Sequence, residues 1–400
     1  MFRGTLTAQI VAVVSSLFIA KIYGSEAYGI LSVFIGISSI LSILNTLQLD
    51  NYIITSKNEI TRSNWFNFLF LLIPFITLII ALIFIPLNIY FPEKNIDQNI
   101  FILIILSAIL LSLNKTHEYF LTSLNNFTTI SFAKILLVLI NVSLQLILYS
   151  KFRVNGLIYS SFLSLLFVSF FFAYKNSNHF KSIDFNIIKK NIEPNKSILK
   201  YLLPSRFINN LSSQSIPIII FAFFSIQEAG IYFFSYKILT MPLFIISSSI
   251  SSVYFERAAS LVNNSKKELY NETLKIVIFN VTAILIFLIL LNTIGIYILE
   301  YILIKDWDNL RIYTLILSFL ILCRSSFSSV SNIIVVLNKN HISLLFNIYL
   351  LVVNISAFYI GYIKNDLLYS LYVVSFLGGI GYLSLVFYFL KTIKKNQLHE

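Results

Sequence analysis

The sequence predicts an all-α polytopic membrane protein, with about twelve transmembrane helices in two six-helix lobes related by a pseudo-two-fold along the membrane normal. Three observations lead there. Hydrophobic residues make up 58% of the 400 residues and charged residues only 12%, with a mean hydropathy of +0.84. A soluble chain carries about 25% charged residues, so a water-facing surface could not be covered with so few. Second, apolar runs of about 20 residues follow one another from Gly4 to Leu390, each long enough for a hydrocarbon layer of roughly 30 Å. Third, the second half of the chain echoes the first.

Taken in order, the runs fall at 4–23, 27–49, 65–87, 99–121, 127–149, 156–174, 199–224, 229–255, 274–298, 310–337, 342–363 and 367–390. Only Arg3 precedes the first, and no cleavage site follows it, so it reads as a span and not as a removed leader. The loops between runs are short. The longest, Lys175 to Ile198, is polar and holds Lys175, Lys181, Lys189, Lys190 and Lys196. It divides the chain into an N-terminal lobe, 1–196, and a C-terminal lobe, 197–400. With the N-terminus set in the cytoplasm, 18 Lys and Arg residues lie on that side and 7 on the other, which predicts that both termini are cytoplasmic.

The echo between halves starts with Gly24-Ser25-Glu26-Ala27-Tyr28-Gly29-Ile30 and Ser225-Ile226-Gln227-Glu228-Ala229-Gly230-Ile231, whose last two glycines are 201 residues apart. Leu-Asn at 124–125 recurs at 337–338, and Asn141-Val142-Ser143 as Asn354-Ile355-Ser356, both 213 apart; Tyr159-Ser160 and Tyr369-Ser370 are 210 apart. Matches in the same order predict duplication of a six-span unit. An even number of spans keeps both copies in one orientation, with a substrate site between them.

Several functions are excluded by what the chain lacks. The net charge of +12 follows mostly from loop orientation and predicts no nucleic-acid partner. A single cysteine, Cys323, allows no intramolecular disulfide. His117, His179, His341 and His399 are scattered, so neither a metal site nor a cofactor is expected. No GxGxxG, Walker A, HExxH or nucleophile motif occurs, and the outer loops around 87–98 and 299–309 are short, which speaks against an enzyme. The charged, Gly-rich loop of major-facilitator proteins has no counterpart in 48–64.

The four basic residues counted on neither side lie inside spans, away from their ends: Lys134, Arg206, Lys237 and Arg324. A charge there costs about 2.5–3.5 kcal/mol on insertion scales and normally faces a bundle interior or a wet cavity. Arg206 with Asn209, Asn210 and Gln214 makes one polar helix face; Arg324 with Ser328, Ser331 and Asn332 makes another. Lys134 and Lys237 are more isolated, and either line the cavity or snorkel to headgroups. Asp50, Glu118 and Glu256 are the acids near span ends, which is expected to leave the four bases unpaired and ready for an anion. Lys115 and Glu118, at i and i+3, are expected to pair with each other, beside His117. Pro204, Pro217 and Pro242 are expected to interrupt spans 7 and 8.

The motif Ala20-Lys21-Ile22-Tyr23-Gly24-Ser25-Glu26-Ala27-Tyr28-Gly29 resembles the small-basic-x-x-Gly-x-x-x-[Tyr/Phe]-Gly turn of Wzx-type polysaccharide flippases, the polysaccharide transporter family of the superfamily that includes MATE exporters and lipid II flippases. Tyr201-Leu202-Leu203-Pro204, Gly230-Ile231-Tyr232, Lys237 and Pro242 resemble its second half. The resemblance implies a MATE-like fold that flips an undecaprenyl-pyrophosphate-linked oligosaccharide across the bacterial inner membrane by alternating access, for O-antigen lipopolysaccharide or another surface glycan. It implies membrane lipid, and a polysaccharide polymerase with chain-length machinery, as partners, and places Lys21 at the family's basic position at the outer mouth. The expected substrate-binding residues are Arg206, Arg324, Lys237, Lys134, Lys21, Asn210 and Gln214, with tyrosines stacking on sugar and no catalytic residue. The alternatives are a MATE-like ion-coupled exporter of small molecules and, ranked lower, a membrane polymerase or glycosyltransferase.

Overall fold

In hydrocarbon each backbone N–H and C=O must be satisfied within the protein, which leaves the helix as the local solution for apolar runs of this length. The computed structural model describes residues 2–56, 58–90, 98–180, 183–192, 203–303, 306–337 and 339–397. Expectations resting on Lys57, Lys94, Lys181, Lys196, Lys200, Tyr201, Leu202, Lys305, Asn338 and His399, and on a boundary at 196, lie outside the described residues.

The helices are α1 (Phe2–Thr46), α2 (Asn51–Thr55), α3 (Glu59–Tyr90), α4 (Gln98–Ser123), α5 (Phe127–Phe152), α6 (Gly156–Lys175), α7 (Phe185–Ile192), α8 (Leu203–Phe223), α9 (Ile226–Asn264), α10 (Lys266–Leu290), α11 (Ile296–Leu303), α12 (Leu310–Ser328), α13 (Ile333–Val336), α14 (Asn340–Ile363) and α15 (Leu367–Gln397). Among the described residues, nine helical stretches are long and apolar enough to cross a membrane. Two of these, Thr7–Thr46 and Phe127–Lys175, each hold two of the expected spans. The first is broken at Gly24, whose φ of 77° and ψ of 175° are open to glycine and strained for other residues. The second turns through Arg153–Asn155. α8 is the remaining expected span; its Arg, Asn, Gln and Ser residues dilute its hydropathy.

Two local expectations are corrected. α8 continues through Pro217 and α9 through Pro242, and Pro204 sits in the first turn of α8, where no amide donor is missed. Instead the helical path changes at the π-helical turn Leu291–Gly295, between α10 and α11.

The chain forms two compact units, one of residues 1–19 and 30–218, the other of 20–29 and 219–400. In the first, α3, α4 and α6 pack side by side, α5 lies along α6, and the short α2 sits on α3 and α4. Its core gathers Leu49, Tyr52, Trp65, Phe66, Leu69 and Phe120, with Tyr52 stacked on Trp65 at 4.6 Å and Phe66 on Phe120 at 4.4 Å. In the second, α12 packs on α9, α10 and α15, with α14 along α15, around Tyr254, Phe327, Leu385 and Phe389.

The turn at 20–29 belongs to the second unit because of a backbone-to-backbone contact. A Cβ on Gly29 would lie 1.9 Å from the Ile226 carbonyl oxygen, and one on Gly230 would lie 1.9 Å from that of Ser25. The offset of 201 relates Ser25 to Ile226 and Gly29 to Gly230, so the two turns exchange the same contact, as elements meeting about a two-fold do. Ala27 and Ala229 are wholly buried beside it, and Tyr28 meets Phe234 and Trp307 edge-on at 5.4 and 5.6 Å. Glu228, at the start of α9, accepts hydrogen bonds from Tyr313 Oη and Asn309 Nδ2, tying this turn to α12.

We predict that Gly29→Ala and Gly230→Ala each lower the thermal unfolding midpoint of detergent-solubilised protein by several degrees, because backbone cannot yield as a flexible side chain does, and overpacking costs about 1–3 kcal/mol or more. Gly295→Ala, whose Cβ would press on the Leu291 side chain at 3.0 Å and come no nearer than 3.6 Å to backbone, should be milder. Equal midpoints for all three would contradict the contact.

Candidate functional site

A charged side chain at membrane depth needs acceptors or water, and the structure supplies them differently in each unit.

In the first unit the polar cluster starts where α1 ends. α2 follows after Leu47 and Gln48, both at positive φ (47° and 56°), and this tight turn brings Gln48, Asp50 and Asn51 together. Arg206 on α8 donates through Nη1 to Gln48 Oε1 at 2.7 Å and Asn51 Oδ1 at 3.2 Å, and lies 3.5 Å from Tyr119 Oη. One turn on, Asn210 Nδ2 donates to Ser39 Oγ at 3.1 Å. Gln214 is half-buried, and its backbone oxygen would lie 2.9 Å from a Cβ on Gly36. The face from Arg206 to Gln214 therefore lies on the second half of α1 and on α2, while Asn209 is exposed.

The lysines depart from expectation. Lys115 does not pair with Glu118; its Nζ lies 3.2 Å from Oδ2 of Asp50, a wholly buried carboxylate. Glu118 turns to Lys134 on α5, with Nζ to Oε2 at 3.8 Å, so Lys134 is not the unpaired base that the sequence suggests. Spacing along α4 allowed a Lys115–Glu118 pair, but tertiary neighbours from α2 and α5 outcompete it. His117, between them in sequence, is buried on another face, with Nδ1 2.7 Å from Asn176 Nδ2 and its ring among Phe66, Phe70 and Phe172.

Lys115, Glu118 and Lys134 line a cavity of about 330 Å³ in the first unit, whose other polar walls are Ser39, Ser42 and Asn114. Lys115, Glu118 and Lys134 are each about one-third exposed (32%, 33% and 30%), whereas Asp50 is fully enclosed. The Lys115 ammonium also lies 5.5 Å from the Tyr119 ring centre, and Tyr119 thus links it to Arg206.

In the second unit, Arg324 on α12 donates through Nη1 to Tyr236 Oη on α9. Tyr382 on α15 and Tyr232 also bear on it electrostatically, and Tyr232 stacks on Tyr236 at 5.8 Å. Further along, Ser328 bonds Ser247 at 2.7 Å and Asn332 donates to Ser251 Oγ at 2.9 Å, so the face that starts at Arg324 runs against α9. Lys237, next to Tyr236, is half-buried. Among the described residues, no carboxylate lies within ion-pair distance of Arg206, Lys237 or Arg324. Lys21 is exposed, and no hydrogen bond or ion pair joins it to either cluster among the described residues.

Sequence reasoning missed Gln48, Asn51, Tyr119, Tyr236 and the role of Asp50, whose partners are set by helix packing. It also passed over Glu228, which the repeated turn motif contained.

The helical architecture resembles that of solved MATE-type transporters. An inward-facing multidrug-resistance MATE transporter of the MOP superfamily superposes with a TM-score of 0.71 over 99% of both chains at 13% identity. A MOP-superfamily transporter from Pyrococcus furiosus gives 0.59 over 98% of this chain and 94% of its own at 13% identity. An outward-facing MATE transporter gives 0.57 over 99% and 95% at 14% identity. No curated protein matches the chain in sequence. The polysaccharide biosynthesis protein family matches residues 18–312, and the chain belongs to that family.

We predict that Asp50→Ala destabilises the protein, by somewhat less than the 3–5 kcal/mol typical of breaking a buried pair because Lys115 is partly exposed. Adding Lys115→Met should restore part of the loss. A double variant less stable than Asp50→Ala, measured by thermal unfolding in detergent, would contradict a dedicated pair.

Proposed function

We propose that this protein translocates an undecaprenyl-pyrophosphate-linked oligosaccharide across the bacterial inner membrane during synthesis of a surface glycan such as O-antigen. Membership of the polysaccharide biosynthesis family supports the glycan, and the transporter fold supports movement without bond making. The observation that carries the anionic substrate is the set of cations at membrane depth. Arg206 and Arg324 bond to amide and phenol oxygens, not to carboxylates. Neutral acceptors orient a guanidinium without neutralising it, so its charge stays available to a diphosphate.

In this reading the diphosphate headgroup enters between cytoplasmic-facing helix ends, the polyprenyl tail remains in lipid, and the lobes alternate access. Both termini are cytoplasmic, and a polymerase with its chain-length machinery receives the flipped units. Arg206 and Asn210, Lys134, and Arg324 with Lys237 guide the headgroup; Gln214 and Lys21 extend the polar path; the tyrosines around Arg324 offer faces for sugar.

The test is accumulation of lipid-linked repeat units on the cytoplasmic face of cells in which the native protein is replaced by a variant. A charge-assisted hydrogen bond contributes about 1.5–3 kcal/mol, so Arg206→Ala or Arg324→Ala should lower translocation by about ten- to a hundredfold. Arg324→Lys should recover part of it. Full export by both single variants and the double variant would defeat the site, and drug sensitivity with unimpaired glycan export on deletion would point to a small-molecule exporter.

A further inference from the structure

Glu118 stands between two ammonium groups. Lys134 is its nearer partner, and Lys115, one turn away on α4, also acts on it. The two ion pairs in this cluster are built differently. Lys115–Asp50 is short, at 3.2 Å, and Asp50 is enclosed and further held by Asn51 Nδ2 on Oδ1 at 3.3 Å. Lys134–Glu118, at 3.8 Å, is longer than a hydrogen bond, which for N–H···O ends near 3.2 Å. Both of its partners are about one-third exposed, and both line the cavity of about 330 Å³. Among the described residues, the Lys134 ammonium has Glu118 as its ion-pair partner, held mainly by charge attraction at this distance. A carboxylate flanked by two lysines on a cavity wall occupies the position that another anion would take.

We infer that Glu118 is a displaceable counter-ion that occupies an anion site in the first unit while it is empty and yields Lys134 to the diphosphate of the substrate. The inference rests on the anionic-substrate reading above and assigns Glu118 as its specificity-determining residue. An incoming group must offer more negative charge and more acceptor oxygens than one carboxylate in order to displace it. A diphosphate diester does; a monocarboxylate or a neutral sugar does not. Asp50 holds Lys115 in place throughout, so one lysine is fixed and the other is free to change partner. Ser39, Ser42 and Asn114 add polar wall to the same cavity.

The experiment uses the full-length protein in detergent and measures binding of farnesyl diphosphate, with farnesol as the uncharged control. Glu118→Gln keeps the shape and removes the competing charge, and should tighten farnesyl diphosphate binding by about tenfold with farnesol unaffected. Lys134→Gln should weaken it, and Glu118→Gln on the Lys134→Gln background should show little of the gain, as coupled residues do in a mutant cycle. Glu118→Ala is the second variant and should move in the same direction. Unchanged or weaker diphosphate binding in whichever of these Glu118 variants keeps a wild-type elution profile overturns the inference, as does a gain of equal size on both backgrounds. Translocation in cells is read separately. A tenfold gain in binding without any glycan-export phenotype on deletion would sink the flippase reading and leave the counter-ion standing; the reverse result would sink only the counter-ion.

Discussion

The cost of holding a full positive charge at membrane depth governs this structure. Each such residue forfeits hydration worth about 2.5–3.5 kcal/mol on insertion scales, and a 400-residue chain with so few charges has little reason to bear it repeatedly. The protein meets the cost in three ways. Lys115 receives an enclosed carboxylate, Lys134 a loose one, and the two arginines receive amide and phenol oxygens. Only the first leaves the cation fully compensated. The others keep positive potential directed into the protein interior, where effective dielectric is low and a unit charge 4 Å away is felt by about 4 kcal/mol at an effective dielectric of about 20.

The two halves of the sequence share their turn glycines but not their membrane-depth cations. The glycines that let the turns at 20–29 and 225–231 approach backbone to backbone recur at the same offset and make the same contact in both directions. The buried cations do not recur. At the offset of 201 that relates the glycines, Lys237 corresponds to Gly36, which lies close against the Gln214 carbonyl. At the offset of 213, Lys134 corresponds to Asn347 and Arg324 to Leu111. The positions matched by these offsets thus carry glycine, asparagine or leucine where the other half of the sequence has a charge. Recurrence of the turn contact does not require these charges, which agrees with the ligand-binding role proposed for them.

Much of this was legible in the sequence because two strong signals set it. Hydropathy over 20 residues located the spans, and helical spacing aligned Arg206 with Asn210 and Arg324 with Ser328 and Asn332. Partners across helices were not legible. Glu118 sits one turn from Lys115, and local spacing favours that pair; only the arrival of α5 and of the turn before α2 shows that each has a different partner. Proline misled for a related reason. Pro217 and Pro242 lie inside helices that continue past them, whereas the π-helical turn at Leu291–Gly295 carries no proline at all. His117 looked like a member of the charged cluster by position and is instead a packing residue, because a helix separates adjacent positions by about 100°.

The two units differ in how readily their cations can change partner. In the second unit Arg324 bonds the Tyr236 phenol, and among the described residues no carboxylate lies within ion-pair distance of Arg324 or Lys237, so an anion there displaces no carboxylate. In the first, Asp50 and Glu118 offset two of the three cations while the cavity is empty, so an anion gains only what remains after exchange with a carboxylate. A carrier that held its cargo with five uncompensated cations would have no means of letting go, since each close charge pair adds to the barrier for leaving. Weakening one set of contacts with internal carboxylates gives a route out, because Glu118 can return to Lys134 as the ligand departs. Acids among the bases are therefore consistent with anion transport, and in the proposed mechanism they make release possible.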